Sequence, residues 1–301
     1  MLSLLETSLL VGLLYCLFTV GLSISFRVIN YPDLTLEGSA VFGGATCFLL
    51  LENGFNPVIG LIVGLIAGAV AGCITGLLHI YANVSKLLSG IITTSILYAI
   101  NIRLLGGKSN GKLSDTSTIF DYMSTSETDI GAVIFLLVVV ALTLFFLWYI
   151  FKIRLGYHLR VLGDNEKFLL TLGKSPKKFT LIGLAIGNGL VGLAGALLVQ
   201  YKTSCDVNMS FGLLVSSLAA MMLGETVFNS KSIFQHLLFC VIGTIVYNIL
   251  ISLVLFSWSS EWEKYILGSD VRLFTGILLL GFSLVLKYKK KRGVSLFNSH
   301  W

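Results

Sequence analysis

The sequence predicts an all-α membrane protein, a polytopic bundle of about nine transmembrane segments. Three observations support this fold class. Among 301 residues, 55% are hydrophobic and only 12% are charged, and the mean hydropathy is +0.90. Soluble domains carry about 25% charged residues, because charges cover their surface. A transmembrane helix takes about 20 apolar residues, so about nine such helices with short loops would account for the whole length of 301 residues. We therefore expect no appended soluble catalytic domain.

Successive apolar runs account for the predicted segments. They cover residues 4–24, 36–51, 57–81, 87–105, 130–151, 179–200, 211–223, 233–256 and 273–286. The second, seventh and ninth runs are shorter than a full crossing requires, so we expect them to include polar flanks or to be broken helices. The first run has no Lys or Arg before Arg27, unlike the basic start of a cleaved signal peptide, and we expect it to remain as a span.

The basic residues indicate how the bundle is oriented. Short cytoplasmic loops are enriched in Lys and Arg, and the densest basic cluster lies between Lys287 and Arg292. With the C-terminus inside and the N-terminus outside, 15 of the 21 basic residues fall on the cytoplasmic side of the nine runs. The net charge of +6 then reflects orientation, and no nucleic-acid partner is expected. We expect residues 1–292 to form a single transmembrane domain and residues 293–301 to form a cytoplasmic tail.

The chain has no pattern typical of a metal site, a nucleotide site or a catalytic centre. Its five cysteines are scattered without a C-x-x-C pair, which argues against a disulfide framework and a metal site. Residues 107–109 and 173–175 lack the glycine that a phosphate-binding loop places five residues before its Gly-Lys pair. The four histidines lie at span ends or in loops, without an H-E-x-x-H motif. We therefore expect no cofactor, no metal and no enzymatic activity in this chain.

The third run carries glycines at a strict spacing of four residues: Gly60, Gly64, Gly68, Gly72 and Gly76. On a helix these glycines form one groove that lets another helix approach closely, as small residues do in membrane bundles. Internal packing is the favoured interpretation of this groove. A seam between two copies of the chain is the alternative.

The segment that joins the first two runs is rich in polar groups. Pro32 interrupts the helix, and Asp33 or Thr35 can cap the next one. Glu37 would then lie in the first turn, where the helix dipole favours a negative charge. An ionisable group in hydrocarbon costs at least about 2.5 kcal/mol and needs a partner or a water-filled cavity. The segment is therefore either a helix start aimed into the protein or an ordinary capped loop at the interface.

Three further polar residues are candidates for a polar path through the membrane. Thr93 and Thr94 lie in the fourth run, where hydroxyl groups can also bond back to their own helix. Glu225 ends the seventh run and is either buried or interfacial.

The longest cytoplasmic loop, residues 152–178, is predicted to contain a short helix. Asp164 or Asn165 supplies its N-cap, and Gly173 fits its C-terminal stop. The apolar side chains predicted to share one face of this helix are Phe168, Leu169 and Leu172. A helix this short is not stable alone, so we expect the face to dock on lipid headgroups or in a groove of a second protein.

These motifs together resemble the permeases of ATP-binding-cassette (ABC) importers of the branched-chain amino acid and ribose class. The segments that carry the resemblance are Arg160–Asn165, Thr171–Gly173 and Gly183–Leu197. Other segments are similar to the tryptophan/tyrosine-type branch of that class: Phe26–Val28, Pro32–Ser39, Leu88–Ile91, Ile100–Arg103 and Leu223–Glu225. The similarity extends over residues 10–290, and its motifs are specific in combination.

The resemblance implies a permease of a bacterial cytoplasmic (inner) membrane, either a homodimer or one half of a permease pair. A separate cytoplasmic ATPase would bind ATP and Mg²⁺, and an extracytoplasmic solute-binding protein would deliver a small solute. The short cytoplasmic helix would couple the ATPase to the bundle. The residues that the resemblance assigns to this coupling are Arg160, Gly163, Asp164, Asn165, Phe168, Leu169, Leu172 and Gly173.

Two functions remain open at this point. The first is an ABC-importer permease for a small solute, an amino acid of the tryptophan/tyrosine kind by resemblance. Its predicted translocation path comprises Asp33, Thr35, Glu37, Thr93, Thr94 and Glu225. The alternative is an ion-coupled secondary transporter, which needs intramembrane carboxylates or broken helices to bind the coupling ion. The carboxylates available for that role are Asp33, Glu37 and Glu225.

Overall fold

The computed structural model describes residues 2–114, 116–123, 130–228, 232–259 and 270–291. Helices dominate these ranges, with one π-helical turn and two three-residue strands. In chain order the elements are α1 (Leu2–Ser23), the π-turn (Ile24–Val28), α2 (Thr35–Glu52), α3 (Pro57–Tyr81), α4 (Lys86–Leu104), β1 (Asn110–Lys112), α5 (Ile119–Met123), α6 (Ile130–Lys152), α7 (Arg154–Asp164), α8 (Glu166–Thr171), α9 (Pro176–Lys202), β2 (Ser204–Asp206), α10 (Leu213–Val227), α11 (Ile233–Ser259) and α12 (Asp270–Lys291). The predicted tail, residues 293–301, lies outside the described residues.

Two small features mark the opposite ends of the bundle. β1 pairs with β2 in antiparallel register, with Gly111 opposite Cys205, and we call this the sheet end. α7 and α8 connect α6 to α9 at the other end, which we call the loop-helix end. α9 runs between the two ends over 27 residues, a length of roughly 40 Å that exceeds the hydrocarbon thickness of a bilayer.

Six described helices are long and apolar enough to cross a membrane. They are α1 with its π-turn, α3, α4, α6, α9 and α11. α10 and the segment Thr275–Val285 of α12 are apolar but shorter. The chain is therefore a helical, multi-pass membrane protein, while the count of nine segments and the orientation of the termini stay predictions.

α2, α3 and α9 form the most tightly packed part of the bundle. The five glycines of the α3 groove face α9 and α2. A Cβ atom built on Gly64 would lie 2.7 Å from the Ala196 Cβ atom, and one on Gly68 would lie against the carbonyl oxygen of Asn188. Carbon atoms in contact lie about 3.5–4.0 Å apart, so no larger residue fits without separating the helices. This chain itself fills the groove, as internal packing requires.

α10, α11 and α12 form a second group, and α1 lies between this group and the first. Gly243 of α11 lies directly against α10, and the hydroxyl oxygens of Tyr247 and Thr275 lie 2.6 Å apart between α11 and α12. On α1, Gly12 faces α11 and Gly21 faces α9. α1 is therefore a central helix that contacts both groups.

The chain turns back into the bundle between β2 and α10. Met209 lies against Gly44 in the middle of α2, and the Ser210 hydroxyl donates to the Glu37 carbonyl oxygen at 2.8 Å. Gly212 then adopts a φ of +86°, which favours glycine, and α10 begins beside the first turn of α2. α10 is thus a short helix that starts inside the bundle, the kind of broken segment expected for the seventh run.

Candidate functional site

A buried polar network surrounds the start of α2. Asp33 is fully buried. One of its carboxylate oxygens accepts the backbone N–H of Thr35 at 2.8 Å, and the other accepts the side-chain amide of Asn188 at 2.6 Å. The Asn188 side-chain oxygen in turn accepts the Ser39 hydroxyl at 2.6 Å. The N-cap position of α2 is occupied by Leu34, so neither predicted cap, Asp33 or Thr35, takes it. Asp33 instead lies one residue earlier, accepts the first N–H of α2 and ties the start of this helix to α9.

Burial raises the pKa of the Asp33 carboxyl above its usual value, and hydrogen bonds from Asn188 and Thr35 oppose that shift. The Thr35 hydroxyl lies 2.6 Å from the Thr75 hydroxyl on α3. Both Asp33 and Thr35 are 0% exposed, and the named partners belong to α2, α3 and α9. The network thus joins three helices at one point.

Thr93 and Thr94 lie on α4 beside the same linker. The Thr94 hydroxyl donates to the Leu34 carbonyl oxygen at 3.0 Å. The Thr93 hydroxyl donates to the Ser89 carbonyl oxygen of its own helix at 2.9 Å. This is the intrahelical hydrogen bond that the sequence indicated as an alternative to a role in the path. The Ser89 hydroxyl lies 2.6 Å from the Tyr31 hydroxyl. Thr94 and Ser89 therefore bind α4 to the linker before α2, whereas Thr93 bonds within α4.

Glu37 lies in the first turn of α2, as predicted, but its carboxylate serves a different helix. One carboxylate oxygen accepts the backbone N–H of Gly212 at 3.0 Å and that of Leu214 at 3.3 Å. The first N–H groups of a helix lack partners within it and carry partial positive charge. Glu37 therefore caps the buried start of α10 with a negative charge.

Glu225 lies near the other end of α10 and is 8% exposed. It forms a two-point ion pair with Arg27 of the π-turn, with 2.8 Å from Arg27 Nε to Glu225 Oε1 and 2.6 Å from Arg27 Nη2 to Glu225 Oε2. Beside this pair, the Ser23 hydroxyl lies 2.9 Å from His236 Nε2 on α11. The end of α1 is thus bonded to both α10 and α11. π-Helical turns occur frequently at functional sites.

The predicted cytoplasmic helix is present as α8, preceded by a second helix, α7, that the sequence did not predict. Of the two predicted caps, Asn165 is the one in use, because its side-chain oxygen accepts the Phe168 N–H at 3.1 Å. Gly163 lies so close to the π-turn that a Cβ atom on it would be 2.9 Å from the Val28 carbonyl carbon. Gly173 follows α8 with a φ of +69°, which suits its predicted role as a helix stop.

The apolar face of α8 differs from the prediction. Leu169 is 0% exposed and belongs to the main hydrophobic core, whereas Phe168 and Leu172 are 46% and 44% exposed. Leu170, which the sequence did not single out, is 58% exposed. Phe168 and Leu172 lie four residues apart and share the exposed face, since the Leu172 N–H still donates to the Phe168 carbonyl oxygen at 3.3 Å. Leu169 directly follows Phe168, and consecutive helical residues do not share a face. We call Phe168, Leu170 and Leu172 the α8 patch, and Leu169 anchors it to the bundle.

Arg160 and Asp164 lie on α7, at the loop-helix end. The Arg160 guanidinium donates to the carbonyl oxygens of Gly156 at 3.3 Å and Phe151 at 3.4 Å. Asp164 is exposed at the end of the helix. Both residues therefore lie beside α8 without belonging to the α8 patch.

The candidate path residues fall in three places. Asp33, Thr35, Thr93 and Thr94 surround the linker before α2, and Glu37 and Glu225 lie at the two ends of α10. Sequence reasoning missed the roles of Arg27 and Asn188 as their partners. A signal for Asn188 exists, because it is the only polar side chain in the glycine-rich stretch 183–197. Within the described ranges, no group of three or more His, Cys, Asp or Glu side chains could hold a metal ion.

A solved ABC transporter, described as of metal-chelate type and in an inward-facing conformation, has a similar fold. Its TM-score with this chain is 0.50 at 19% sequence identity, and the match covers 96% of this chain and 85% of that one. This likeness shows that the two chains share a fold. The chain belongs to the family described as the permease component of branched-chain amino acid transport systems, whose model matches residues 4–280.

Two relatives share most of this chain. The tyrosine transport system permease protein of Clostridioides difficile is 30% identical over 271 residues, which is 90% of this chain and 87% of that protein. An uncharacterized protein of Rickettsia prowazekii is 27% identical over 243 residues, which is 78% of this chain and 83% of that protein. The predicted resemblance to ABC-importer permeases is confirmed at the level of the family.

Proposed function

We propose that this chain is the membrane-spanning subunit of an importer that moves an amino acid into the cytoplasm, driven by a separate ATPase chain. The observation that carries the proposal is the α8 patch, a set of exposed apolar side chains on a short helix that Leu169 anchors. Such a helix suits a hydrophobic groove on a partner. The tyrosine transport permease at 30% identity supports an aromatic amino acid as solute.

Charge supports the cytoplasmic placement of α8. The loop from residue 152 to residue 178 contains seven Lys and Arg residues, the enrichment typical of short cytoplasmic loops. With this end inside, α1 begins outside and the C-terminus is inside. α1, α2, α3, α4, α6, α9, the re-entering segment with α10, α11 and α12 then make nine passages. The setting is a bacterial cytoplasmic membrane.

The sheet end would face outwards in this orientation and receive a solute-binding protein. A second copy of the chain would complete the path, and ATP with Mg²⁺ would bind to the ATPase partners. This chain would therefore hold no cofactor and catalyse no reaction of its own.

A route of direct contacts leads from α8 to the helix that begins inside the bundle. α7 precedes α8 and touches the π-turn at Gly163, and the π-turn holds α10 through Arg27 and Glu225. The far end of α10 is capped by Glu37. Movement of α8 when the ATPase closes would thus be transmitted through α7 and the π-turn to α10 by direct contacts. Alternating access needs an element with two arrangements that is coupled to the ATPase in this way.

The test is a double substitution, Phe168→Asp with Leu172→Asp, in the full-length chain co-expressed with a candidate ABC ATPase subunit. We expect loss of ATPase co-purification and of ATP-dependent tyrosine uptake, because two buried carboxylates would oppose docking in an apolar groove. Tyr122→Asp is the matched control, since Tyr122 is 71% exposed near the sheet end. If both co-purification and uptake survive the double substitution, the coupling role is wrong.

The ion-coupled alternative has less support from the geometry. Asp33, Glu37 and Glu225 each have protein partners, namely side-chain and backbone donors or an arginine. Tyrosine transport in proteoliposomes that is driven by an ion gradient, in the absence of any ATPase, would favour this alternative.

A further inference from the structure

A cavity of about 280 Å³ lies at the loop-helix end, between the π-turn, α7 and the start of α11. This volume is close to the lower end of the about 300–1,000 Å³ typical of small-molecule sites. The lining residues are Phe26, Arg27, Val28, Asn30, Arg160, Val161, Gly163, Asp164, Ile233 and His236. The cavity is separate from the α8 patch, none of whose residues lines it.

Two of the charged residues that line the cavity have no ion-pair partner in the described part of the chain. Arg27 is already paired with Glu225. Arg160 has no carboxylate within 4.0 Å among the described residues, and Asp164 has no basic group within that distance in the same ranges. The two lie one turn apart on α7, a spacing at which opposite charges commonly interact. A basic and an acidic residue one turn apart therefore line the cavity, and Arg160 uses two of its donors for backbone carbonyl oxygens while neither residue has an ion-pair partner in the described ranges.

The rest of the lining is largely apolar. Phe26, Val28, Val161 and Ile233 supply aromatic and aliphatic walls, and Val28 is buried. A site with a guanidinium and a carboxylate that form no ion pair among the described residues, and with an apolar wall, matches a molecule that carries a carboxylate, an ammonium group and an apolar side chain. Charge-assisted hydrogen bonds to Arg160 and Asp164 would fix the two charged ends.

We propose that this cavity binds a zwitterionic amino acid with an aromatic or aliphatic side chain, at the end of the bundle where the solute is released. This inference rests on the proposed function, because that function places the loop-helix end in the cytoplasm and makes an amino acid the transported solute. The carboxylate of the ligand pairs with Arg160, its ammonium group with Asp164, and its side chain contacts Phe26 and Ile233. A ligand bound in this cavity would link α7 to the π-turn and to the start of α11, next to the α8 patch that is proposed to contact the ATPase.

A site-specific test uses the full-length chain in lipid nanodiscs. Val161→Cys places a thiol on the cavity wall, and its alkylation by N-ethylmaleimide is timed with and without L-tyrosine. At ten times the half-saturating concentration about 90% of the sites are filled, so alkylation should slow about tenfold. Four of the five native cysteines are buried, and the unsubstituted chain gives the background. Lys167→Cys, exposed on α8 and outside the lining, is the control that should show no protection.

The charge pattern is tested with ligands and with variants. Tyramine lacks the carboxylate and desaminotyrosine lacks the ammonium group. Each should therefore require about a tenfold higher concentration than L-tyrosine to give the same protection of Val161→Cys. Asp164→Asn or Arg160→Gln, added to Val161→Cys, should weaken protection by L-tyrosine to a similar extent. The two comparison ligands need no further substitution and so remain informative if a variant fails to fold.

Three results would overturn the proposal. The first is protection by L-tyrosine at both Val161→Cys and Lys167→Cys, or at neither. The second is protection that stays the same in both charge variants, Asp164→Asn and Arg160→Gln. The third is an alkylation rate set by the anionic lipid content of the nanodisc and not by L-tyrosine, which would assign the cavity to a lipid headgroup. Because a nanodisc encloses no compartment, ATP-dependent tyrosine uptake is measured on the unsubstituted and Val161→Cys chains in proteoliposomes that also contain the candidate ATPase. Uptake without protection rejects this site alone, whereas absence of ATP-dependent uptake rejects the proposed function.

Discussion

Gly68→Ala offers a sharp test of how α3 and α9 pack. The added Cβ atom would lie 2.9 Å from Gly192 Cα, 3.0 Å from the Asn188 carbonyl carbon, and against the Asn188 carbonyl oxygen. All three atoms belong to the backbone, so no side chain can rotate away. Contact at about 3.5 Å requires the two helices to separate by roughly half an ångström or more. Asn188 also donates to Asp33 at 2.6 Å, so the separation strains the buried network.

The magnitude of the effect follows from three contributions. Overpacking costs about 1–3 kcal/mol, and a broken bond between Asn188 and Asp33 would add about 1–3 kcal/mol. Alanine regains about 1 kcal/mol of helix propensity over glycine. The net loss is therefore about 1–5 kcal/mol, and a loss near 3 kcal/mol lowers the apparent Tm by roughly 6 °C in a chain of this size.

The assay is thermal unfolding of the detergent-purified protein, with all variants compared at one heating rate because unfolding of such proteins is often irreversible. Gly281→Ala is the matched control, since a Cβ atom on this α12 glycine would meet nothing within 4 Å. We expect Gly281→Ala to keep the Tm of the parent protein or to raise it. A parental Tm for Gly68→Ala, or an equal fall in both variants, would refute the packing argument.

Three other predictions concern polar groups. Glu37→Ala removes the acceptor for two N–H groups at the start of α10 and should cost about 1–2 kcal/mol, measured as a lower Tm than that of Glu52→Ala, which truncates the exposed Glu at the end of α2. Glu225→Gln removes the negative charge that faces Arg27 and should cost about 1.5–3 kcal/mol. Adding Arg27→Gln should recover part of that loss, and strictly additive effects of the two substitutions would contradict the pair. Because the pKa of Asp33 is raised in the folded state, the folded protein binds this proton more tightly, and stability should rise as pH falls towards the ordinary value of about 3.9. Asp33→Asn should flatten this dependence of Tm on pH, and an unchanged slope would exclude Asp33 as its source.

The sequence predicted the helices well and their polar partners poorly. Hydropathy is a local property, so the bounds of α3 match the run 57–81 to the residue. The Glu37 contacts with α10 join residues 175 and 177 positions apart, and the Arg27–Glu225 pair joins residues 198 positions apart. Sequence periodicity relates residues only a few positions apart, so it cannot predict contacts between residues this far apart in the chain. The assignment of Leu169 to the exposed face failed because Phe168 and Leu172, four residues apart, define that face, whereas Leu169 directly follows Phe168 and is buried.

The contacts within each helix group differ from the polar contacts that link α10 to the first group and to the π-turn, and this difference indicates where movement can occur. α2, α3 and α9 meet through glycines whose backbones touch, a packing that would have to separate before it could slide. α10 meets the first group and the π-turn through the carboxylates of Glu37 and Glu225, which bond to N–H groups and to one arginine. Polar contacts of this kind can be exchanged for water or for other donors at modest net free energy. A transport cycle that keeps the glycine contacts intact must therefore move α10 and its neighbours, and the contacts it has to break are those of Glu37 and Glu225.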